Sequence, residues 1–176
     1  LKAISYLQSY DIEFRIGGDG YLLNEYKQLA YKLGISDKIK WLGAVSRESA
    51  PKYFQECSAF VMPSRHETFG IVYAEALACG KPIIATRCGG PEDIVNEDNG
   101  LLVDVDNPLA LADVMKYLKE NISKYDPKKI RTDFENRFSR KAVIPKIVEI
   151  YKNIISNNKR DVRVFWNGLK YEHSPI

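Results

Sequence analysis

The chain alternates short apolar runs with segments of helical periodicity, and this alternation constrains its fold more than any other feature. The apolar runs are residues 13–16, 39–42, 59–62, 82–85 and 101–103. The periodic segments predict helices over residues 21–33, 46–54, 70–78, 109–119 and 139–155. Strands separated by helices form βαβ units, so the sequence predicts an α/β fold with a parallel sheet and helices on both faces.

The helix boundaries carry signals of their own. Ser46 is a candidate N-cap for the second helix, and Asn107 or Asp106 is a candidate N-cap for the helix that begins at a proline. Gly34 and Gly80 follow the first and third helices, where a left-handed glycine commonly ends a helix.

Composition argues against several classes of protein. A net charge of +3 over 176 residues is too small to indicate nucleic-acid binding. The cysteines, Cys57, Cys79 and Cys88, have neither metal-ligand spacing nor a disulfide framework, which favours a reducing compartment. No run approaches the roughly 20 apolar residues of a membrane span. The sequence begins without methionine inside an apolar helical pattern, so we interpret it as a domain truncated at its N-terminus.

The last stretch differs from the rest, and we treat residues 1–158 as one domain and residues 159–176 as an extension. Val162–Trp166 is followed by Asn167-Gly168, a type I′ turn signal, and by a second apolar run, which predicts a small hairpin. The basic and aromatic residues between 159 and 166 suit either peripheral contact with a membrane surface or packing against protein.

Glycine and polar residues follow each of the first four candidate strands. They occupy segments 17–20, 43–45, 63–70 and 86–91. Ligands of open parallel sheets bind at the carboxyl ends of the strands, so this edge is the candidate ligand site.

Segment 63–70 carries the strongest signal. Gly70 opens a helix whose first amides have no acceptor within the helix, and such amides bind phosphate groups. Glu75 lies among small and apolar neighbours, where a carboxylate needs a partner such as a ribose diol. Glu67 would lie about 12 Å away if the helix were continuous, so the two carboxylates would bracket a sugar diphosphate. The alternatives are an ion-paired or capping Glu75 and a solvated Glu67.

These residues belong to a longer motif. It reads Pro63-Ser64-x-x-Glu67-x-Phe69-Gly70-x-x-x-x-Glu75-Ala76-x-Ala78-x-Gly80-x-Pro82-x-Ile84-Ala85-Thr86-x-x-Gly89-Gly90. The motif resembles the donor-binding core of retaining glycosyltransferases of family 4 (group 1), with their E-x7-E element. It implies the Rossmann-like C-terminal half of a GT-B fold. The resemblance extends along most of the chain through Gly18-Asp19-Gly20, Trp41-Leu42-Gly43-x-Val45, Asn99-Gly100-Leu101-Leu102-Val103 and Leu109-Ala110-Leu111-Ala112.

The resemblance implies a role for each matching residue. Glu67 would be the catalytic residue, contacting hydroxyls of the donor sugar and stabilising charge near the reacting carbon. Backbone amides of Phe69, Gly70 and Ile71 would bind the diphosphate and sugar. Glu75 would hold the ribose.

The same resemblance places Val45 and Arg47 beside the base, and Gly18 where the nucleotide approaches the first strand. Two positions depart from the family pattern: Tyr21 stands in place of a proline and Asp93 in place of a glutamate. The family's Arg and Lys pair that grips the diphosphate, like its N-terminal acceptor domain, would lie upstream of this chain.

The implied reaction is transfer of a hexosyl group from a nucleotide sugar to an acceptor hydroxyl, with retention at the anomeric carbon. The implied partners are the nucleotide sugar, the N-terminal domain and an acceptor glycan or lipid-linked glycan, without a metal, cofactor or nucleic acid. We expect a cytoplasmic enzyme of polysaccharide or glycoconjugate biosynthesis, with peripheral contact at the inner membrane face left open; the fragment alone would be inactive. The rival hypotheses are a non-catalytic sugar-nucleotide-binding module and another GT-B enzyme, such as a phosphorylase or epimerase.

Several further signals are given a structural interpretation. Asp104-x-Asp106 resembles a DxD metal motif, but it precedes a helix, where aspartate is favoured as a cap. We interpret His66 as a solvated loop residue rather than an acid or base. Arg65 and Arg87 are interpreted as solvated surface residues rather than phosphate ligands.

Overall fold

A computed structural model describes residues 1–157, and the hairpin expected within residues 159–176 lies outside them. The strands are β1 (Phe14–Gly17), β2 (Ile39–Gly43), β3 (Phe60–Met62), β4 (Ile83–Arg87) and β5 (Gly100–Asp104). The helices are α1 (Lys2–Ser5), α2 (Leu23–Lys32), α3 (Ala50–Glu56), α4 (Ile71–Ala78), α5 (Gly90–Ile94), α6 (Pro108–Glu120), α7 (Pro127–Phe138) and α8 (Arg140–Asn157). The described residues contain no helix long and apolar enough to cross a membrane.

The chain forms two compact units. The first extends from Leu1 to Phe134 and contains every strand of the described residues; the second begins at Glu135. In the second unit, α8 is the long closing helix that the sequence predicts, and it includes Pro145.

Every strand pair in the first unit is parallel, as the sequence predicts. β1 pairs with β2, and β3, β4 and β5 pair in that order. Phe14 lies opposite Ile39 in the first sheet, and Phe60 opposite Ile83 in the second. The prediction of parallel strands flanked by helices is therefore confirmed, with the strands distributed over two sheets.

The best-buried strand is β4. Ile83, Ile84 and Ala85 are at most 1% exposed, because β4 has a strand on each side and helices on its faces. Tyr73 and Leu77 of α4 are wholly buried as well. A second cluster beneath β1 and β2 contains Ile4, Ala30, Ile35 and Ile39. Each of the two sheets therefore has buried apolar residues packed against it, and both sheets belong to the first unit.

Glycines end two helices as predicted. Gly34 follows α2 with φ +67°, and Gly80 follows α4 with φ +70°. At the start of α6, Asn107 is the N-cap: its Oδ1 accepts a hydrogen bond from the Ala110 amide at 3.0 Å. This geometry decides between the two predicted caps in favour of Asn107 over Asp106.

The predicted N-cap at Ser46 is wrong. Its hydroxyl accepts the Ser49 amide at 3.2 Å and closes a turn, and α3 begins later, at Ala50. Pro51 lies in the first turn of α3, where its fixed φ is compatible with a helix. The prediction over residues 46–54 therefore merged a serine-closed turn with the helix that follows it.

The sequence analysis also missed α5 and α7. Gly89 donates its amide to the Glu92 carboxylate at 3.1 Å and so caps α5. Asp126 accepts the Lys128 amide at 2.8 Å at the start of α7. Both helices begin with proline near the N-terminus, which is the signal that could have revealed them.

Candidate functional site

All five strands of the first unit end at loops that contain glycine or polar residues, and the loops after β1, β2 and β3 contain predicted site residues. The loop after β1 contains Gly18, and the segment after β2 contains Val45. The loop after β3 contains Glu67, and the one after β4 contains Gly89 and Gly90. The carboxyl ends of the strands therefore carry the candidate site, as expected for parallel sheets.

The first two loops contact each other. The Gly18 amide, with φ +135° at that residue, donates to the Gly43 carbonyl at 2.8 Å. A Cβ added at Gly17 would lie 2.9 Å from the Val45 side chain, so glycine permits the close approach of these loops. Arg47 is exposed and makes no hydrogen bond or ion pair within residues 1–157. The structure thus brings Gly18 and Val45 together and leaves Arg47 beside them in solvent.

A cavity of about 340 Å³ opens next to these glycines. It is lined by segment 16–20 and by the aromatic residues Tyr21, Tyr26 and Trp41. Tyr21 is 93% exposed, so its ring is available to a ligand in this cavity. Aromatic rings beside a glycine loop suit stacking of a flat apolar group such as a nucleobase.

The loop after β3 is fixed to the loop after β4. The Glu67 carbonyl accepts the Gly90 amide at 2.9 Å, and Glu67 forms a parallel bridge with Gly89. The Thr86 hydroxyl donates to the Ser64 carbonyl. The backbone of Glu67 and its loop is therefore fixed by hydrogen bonds from β4 and the loop that follows β4.

Glycine is required where the two loops touch. A Cβ at Gly90 would lie 2.5 Å from the Thr68 carbonyl oxygen and 2.6 Å from the Phe69 Cα. Both of these are backbone atoms, which cannot rotate away as a side chain could. The Gly89-Gly90 pair therefore permits the contact that positions Glu67.

The start of α4 is held by Tyr73. Gly70, the N-cap, has φ +81°, and a Cβ there would lie 2.3 Å from the buried Tyr73 ring. The Tyr73 hydroxyl donates to the Met62 carbonyl at 2.6 Å, linking α4 to the end of β3. Burial raises the pKa of Tyr73 to about 12, so the phenol remains a hydrogen-bond donor at neutral pH.

Two side chains at the start of α4 face solvent, on either side of the buried Gly70. Phe69 is 46% exposed and Ile71 is 65% exposed. The Phe69 amide lies 3.4 Å from the Glu67 carboxylate, a long hydrogen bond that a stronger acceptor could displace. The amides of this turn lie at the positive end of the α4 dipole, where an anion is stabilised.

The two predicted carboxylates lie on different elements. Because α4 begins at Ile71, Glu67 belongs to the preceding loop, and the 12 Å estimate for a continuous helix does not apply. Glu75 lies in the second turn of α4 and is half-buried. Its carboxylate makes no hydrogen bond or ion pair within the described part of the chain. This carboxylate is therefore not an ion-paired or capping group.

The arginines interpreted as solvated form ion pairs. Arg65 bonds to Asp106 at 2.8 Å, and Arg87 lies 3.7 Å from Asp104. Asp106 has φ +55°, a conformation that aspartate tolerates. Residues 1–157 contain no group of three or more histidine, cysteine or acidic side chains placed to hold a metal ion. His66 is exposed, as predicted.

A larger cavity, of about 510 Å³, lies at the opposite edge. Its lining includes Lys81 and Pro82, which directly precede β4, together with Tyr125 and Asp126. These residues are at the amino end of the strand, and Lys81 already donates to the Gln55 carbonyl at 2.9 Å. The smaller cavity at the carboxyl ends of β1 and β2 remains the better candidate because the glycine segment 17–20 and three aromatic residues line it.

The sequence analysis identified the loops of this edge but not the residues that fix them. Tyr73 and Thr86 act through side-chain bonds to the ends of β3 and its loop. A signal for Tyr73 was present, since it is the one aromatic residue among the small and aliphatic residues of α4. Thr86 is a named position of the motif, but its sequence neighbours do not indicate a bond to the Ser64 carbonyl.

Comparison with known proteins gives a consistent result. The family profile described as "Glycosyl transferases group 1" matches residues 1–140. The chain is 32% identical over 156 residues to an uncharacterized glycosyltransferase of Methanocaldococcus jannaschii, covering 86% of this chain and 43% of that protein. It is 38% identical over 94 residues to the D-inositol 3-phosphate glycosyltransferase of Xylanimonas cellulosilytica, covering 53% and 22% respectively. The chain thus spans less than half the length of these relatives.

Solved structures share the fold. A glycosyltransferase from Rickettsia africae superposes with a TM-score of 0.78 at 29% identity, over 89% of this chain and 43% of that one. Anabaena HepE in complex with UDP and glucose superposes with a TM-score of 0.76 at 23% identity, over 86% and 44%. Both alignments extend over most of this chain, and the neighbours are GT-B glycosyltransferases.

Proposed function

The chain belongs to the group 1 glycosyl transferases, and from that premise we propose that it is the donor-binding domain of an enzyme that transfers a sugar from a nucleotide diphosphate. The observation that carries this proposal is the carboxyl edge of the sheets. There, two glycine-containing loops, a helix N-terminus and a half-buried unpaired carboxylate occur together. These features match the parts of a nucleotide sugar, which are the base with its ribose, the diphosphate and the donor sugar.

The diphosphate binds at the start of α4. Amides of Gly70 and Ile71 donate to its oxygens, and the Phe69 amide leaves its long bond to Glu67 to do the same. The positive end of the α4 dipole stabilises the charge. Since a diphosphate departs with a negative charge, donors fixed in advance lower the barrier to its departure. Tyr73 keeps this turn in place through its bond to Met62.

Glu67 contacts the donor sugar and is the catalytic residue of this domain. Its backbone is held by the Gly90 amide, while its carboxylate faces the edge, next to the Phe69 amide. In the reaction, the bond between the anomeric carbon and the diphosphate oxygen breaks, and the oxygen keeps the electron pair. The acceptor hydroxyl oxygen bonds to that carbon and passes its proton to the departing diphosphate oxygen. The Glu67 carboxylate stabilises the positive charge that develops at the sugar, and the configuration is retained.

Glu75 holds the ribose. A half-buried carboxylate without a partner is costly, and two ribose hydroxyls would supply the hydrogen bonds it lacks. The base lies towards Gly18 and Val45, next to the cavity that contains Tyr21. Arg47, which is exposed beside Val45, contacts the base or its ribose from solvent.

The remainder of the enzyme lies outside this chain. The acceptor, a glycan or lipid-linked glycan, binds to a further domain, and the reaction belongs to polysaccharide or glycoconjugate biosynthesis. No resident cofactor or metal is part of the proposal, because Asp104 and Asp106 are engaged by Arg87 and Arg65. The shared fold with HepE makes the uridine nucleotides the first donors to test.

The experiment compares Glu67→Ala and Glu75→Ala in the full-length enzyme. Loss of Glu67 should reduce transfer about 100-fold or more, as the loss of one charge-stabilising group does, with little change in nucleotide affinity. Loss of Glu75 should weaken nucleotide binding about 10- to 100-fold, since hydrogen bonds to a charged group contribute roughly 1.5–3 kcal/mol. Glu97→Ala, an exposed carboxylate ahead of β5 at the opposite edge, is the matched control.

The outcomes separate the rival hypotheses. Wild-type behaviour in both variants would contradict the site. Nucleotide binding that depends on Glu75, without any transfer by the wild-type enzyme, would identify a binding module instead. Transfer to inorganic phosphate in place of a hydroxyl would identify a phosphorylase.

A further inference from the structure

Tyr21 is an exposed aromatic residue whose side chain has no partner within residues 1–157. It follows Gly20 in the loop after β1 and precedes α2. Its side chain is 93% exposed, more than any other large hydrophobic side chain of the described residues, and it makes no hydrogen bond, ion pair or ring contact with them. Single exposed aromatic residues are common on protein surfaces, so the surroundings of Tyr21 decide what its ring can do.

Tyr21 lines the cavity of about 340 Å³ at the carboxyl ends of β1 and β2. Small-molecule sites usually have volumes of about 300–1,000 Å³, so this cavity suits one part of a nucleotide sugar. Trp41 lines the same cavity and packs against the core cluster beneath β1 and β2, which fixes its position. A Cβ added at Gly18 or Gly20 would meet no atom within 4 Å, so the glycine loop leaves open space for a flat group.

The charges of this cavity disfavour a diphosphate. Its lining residues include no lysine, arginine or histidine. The one carboxylate among them is that of Asp19, whose Oδ1 accepts the Gly20 amide at 2.8 Å. A diphosphate would therefore meet a negative charge and no cation, whereas an uncharged base is not repelled.

The cavity also adjoins the position expected for the base. A Cβ at Gly17, which lines the cavity, would lie 2.9 Å from the Val45 side chain. The diphosphate and the donor sugar are assigned elsewhere, to the start of α4 and to Glu67 in the loop after β3. Of the parts of a nucleotide sugar, the base is thus the one that matches this cavity in both charge and position.

We propose that Tyr21 stacks on the nucleobase of the donor and is a determinant of the affinity for the nucleotide. The base extends from Val45 into the cavity, where the Tyr21 ring covers one of its faces. Stacking removes apolar surface of the ring and of the base from water, and it tolerates any base because every base has a π-face. Tyr21 therefore contributes to affinity rather than to the choice of base. This role rests on the proposed function, since it requires a nucleotide donor.

Calorimetric titration of the full-length protein tests this role, with whichever of UDP, GDP and ADP binds most tightly. In Tyr21→Ala, the Kd should rise about 5- to 150-fold, the range that stacking of one base supplies. Tyr21→Phe keeps the ring and should bind within about twofold of the wild type. Tyr31→Ala is the matched control, because Tyr31 is 80% exposed on α2 and does not line the cavity. An unchanged Kd in Tyr21→Ala, or an equal rise in either of the other variants, would overturn the proposal.

A second measurement separates stacking from an indirect effect. In the complex with the same nucleotide, nuclear Overhauser effects should connect the Tyr21 ring protons to protons of the base. Steady-state kinetics of Tyr21→Ala should show a raised KM for the nucleotide sugar with kcat nearly unchanged, because contact with the base is the same in the ground state and the transition state. Absence of the ring-to-base effects, or a fall in kcat without a change in KM, would overturn the proposal.

These experiments also distinguish this inference from the proposed function. A Kd that depends on Glu75 but not on Tyr21 would contradict only the stacking role. A wild-type enzyme that binds none of the nucleotides would contradict both.

Discussion

Replacing Tyr73 with phenylalanine removes a single hydroxyl from a wholly buried side chain. The lost bond is the one to the Met62 carbonyl at 2.6 Å, at the end of β3. The ring keeps its edge-on contact with Phe60 at 5.9 Å and its place against Gly70, so no large cavity forms. The perturbation therefore removes one hydroxyl, which joins α4 to the end of β3 through Met62 and also interacts with the Ser64 side chain.

The expected cost is dominated by the bond to the Met62 carbonyl. A buried carbonyl that loses its partner costs about 1–3 kcal/mol. With a urea m-value of about 2 kcal/mol/M for a domain of this size, the unfolding midpoint should fall by roughly 0.5–1.5 M. Tyr21→Phe, at a tyrosine that is 93% exposed, is the matched control and should leave the midpoint unchanged.

The pH dependence provides a second readout. The pKa of Tyr73 is raised by burial from its usual 10.0 to about 12, so the unfolded chain loses this proton first. The contribution of Tyr73 to stability is therefore fully present below pH 10 and is lost as the pH rises from about 10 to about 12. Tyr73→Phe should show a smaller alkaline decline, because Tyr125 and Cys57, whose pKa values burial also raises, keep their own contributions. A midpoint unchanged at neutral pH, or the same alkaline decline in the variant, would refute this reasoning.

Three further predictions concern backbone and charge. Gly70→Ala should destabilise the domain by about 2–5 kcal/mol, since a left-handed alanine adds strain and its Cβ overlaps the Tyr73 ring. Gly18→Ala, with open space around its Cβ, should cost only about 1–2 kcal/mol, and urea unfolding of the two variants measures the difference. Asn107→Ala should cost about 1 kcal/mol of unfolding free energy in the same assay by removing the cap of α6, and a cost near zero would contradict the assigned cap. The Asp106→Asn variant should bind nucleotide as tightly as the wild type in a calorimetric titration, because Asp106 binds Arg65 rather than a metal. Adding EDTA to the wild type should likewise leave the affinity unchanged, and a large loss of affinity with EDTA would contradict this.

The strands and most helices could be predicted from the sequence because their signals are local. An apolar run such as 82–85 indicates a strand that is buried on both faces of its sheet. Glycines such as Gly34 and Gly80 indicate helices that end in the left-handed conformation. α5 escaped detection because it has only five residues, too few to show a helical period. The prediction at Ser46 was wrong because a serine hydroxyl can either cap a helix or accept an amide within a turn. In the structure it accepts the Ser49 amide and forms a turn.

The sequence predicted where the candidate site lies, at the carboxyl ends of the strands, but not the contacts that position its residues. Glu67 and Gly70 are marked by their neighbours in the sequence. The bonds that position them, from Gly90 and Tyr73, join elements whose contact is fixed only when β3 and β4 pair. The division of the strands into two sheets depends on which strands pair, and no local sequence pattern around β1 or β3 indicates this.

The central claim is that a nucleotide sugar binds at the carboxyl ends of the strands. Amide chemical-shift mapping by NMR during titration with UDP, GDP and ADP, and then with the sugar of the nucleotide that binds, tests this claim most directly in the full-length protein. The account predicts the largest shifts at Gly18, Gly70 and Ile71, with saturation weakened by Glu75→Ala. Shifts confined to the opposite edge, around Lys81 and Tyr125, or no shift with any nucleotide, would contradict it.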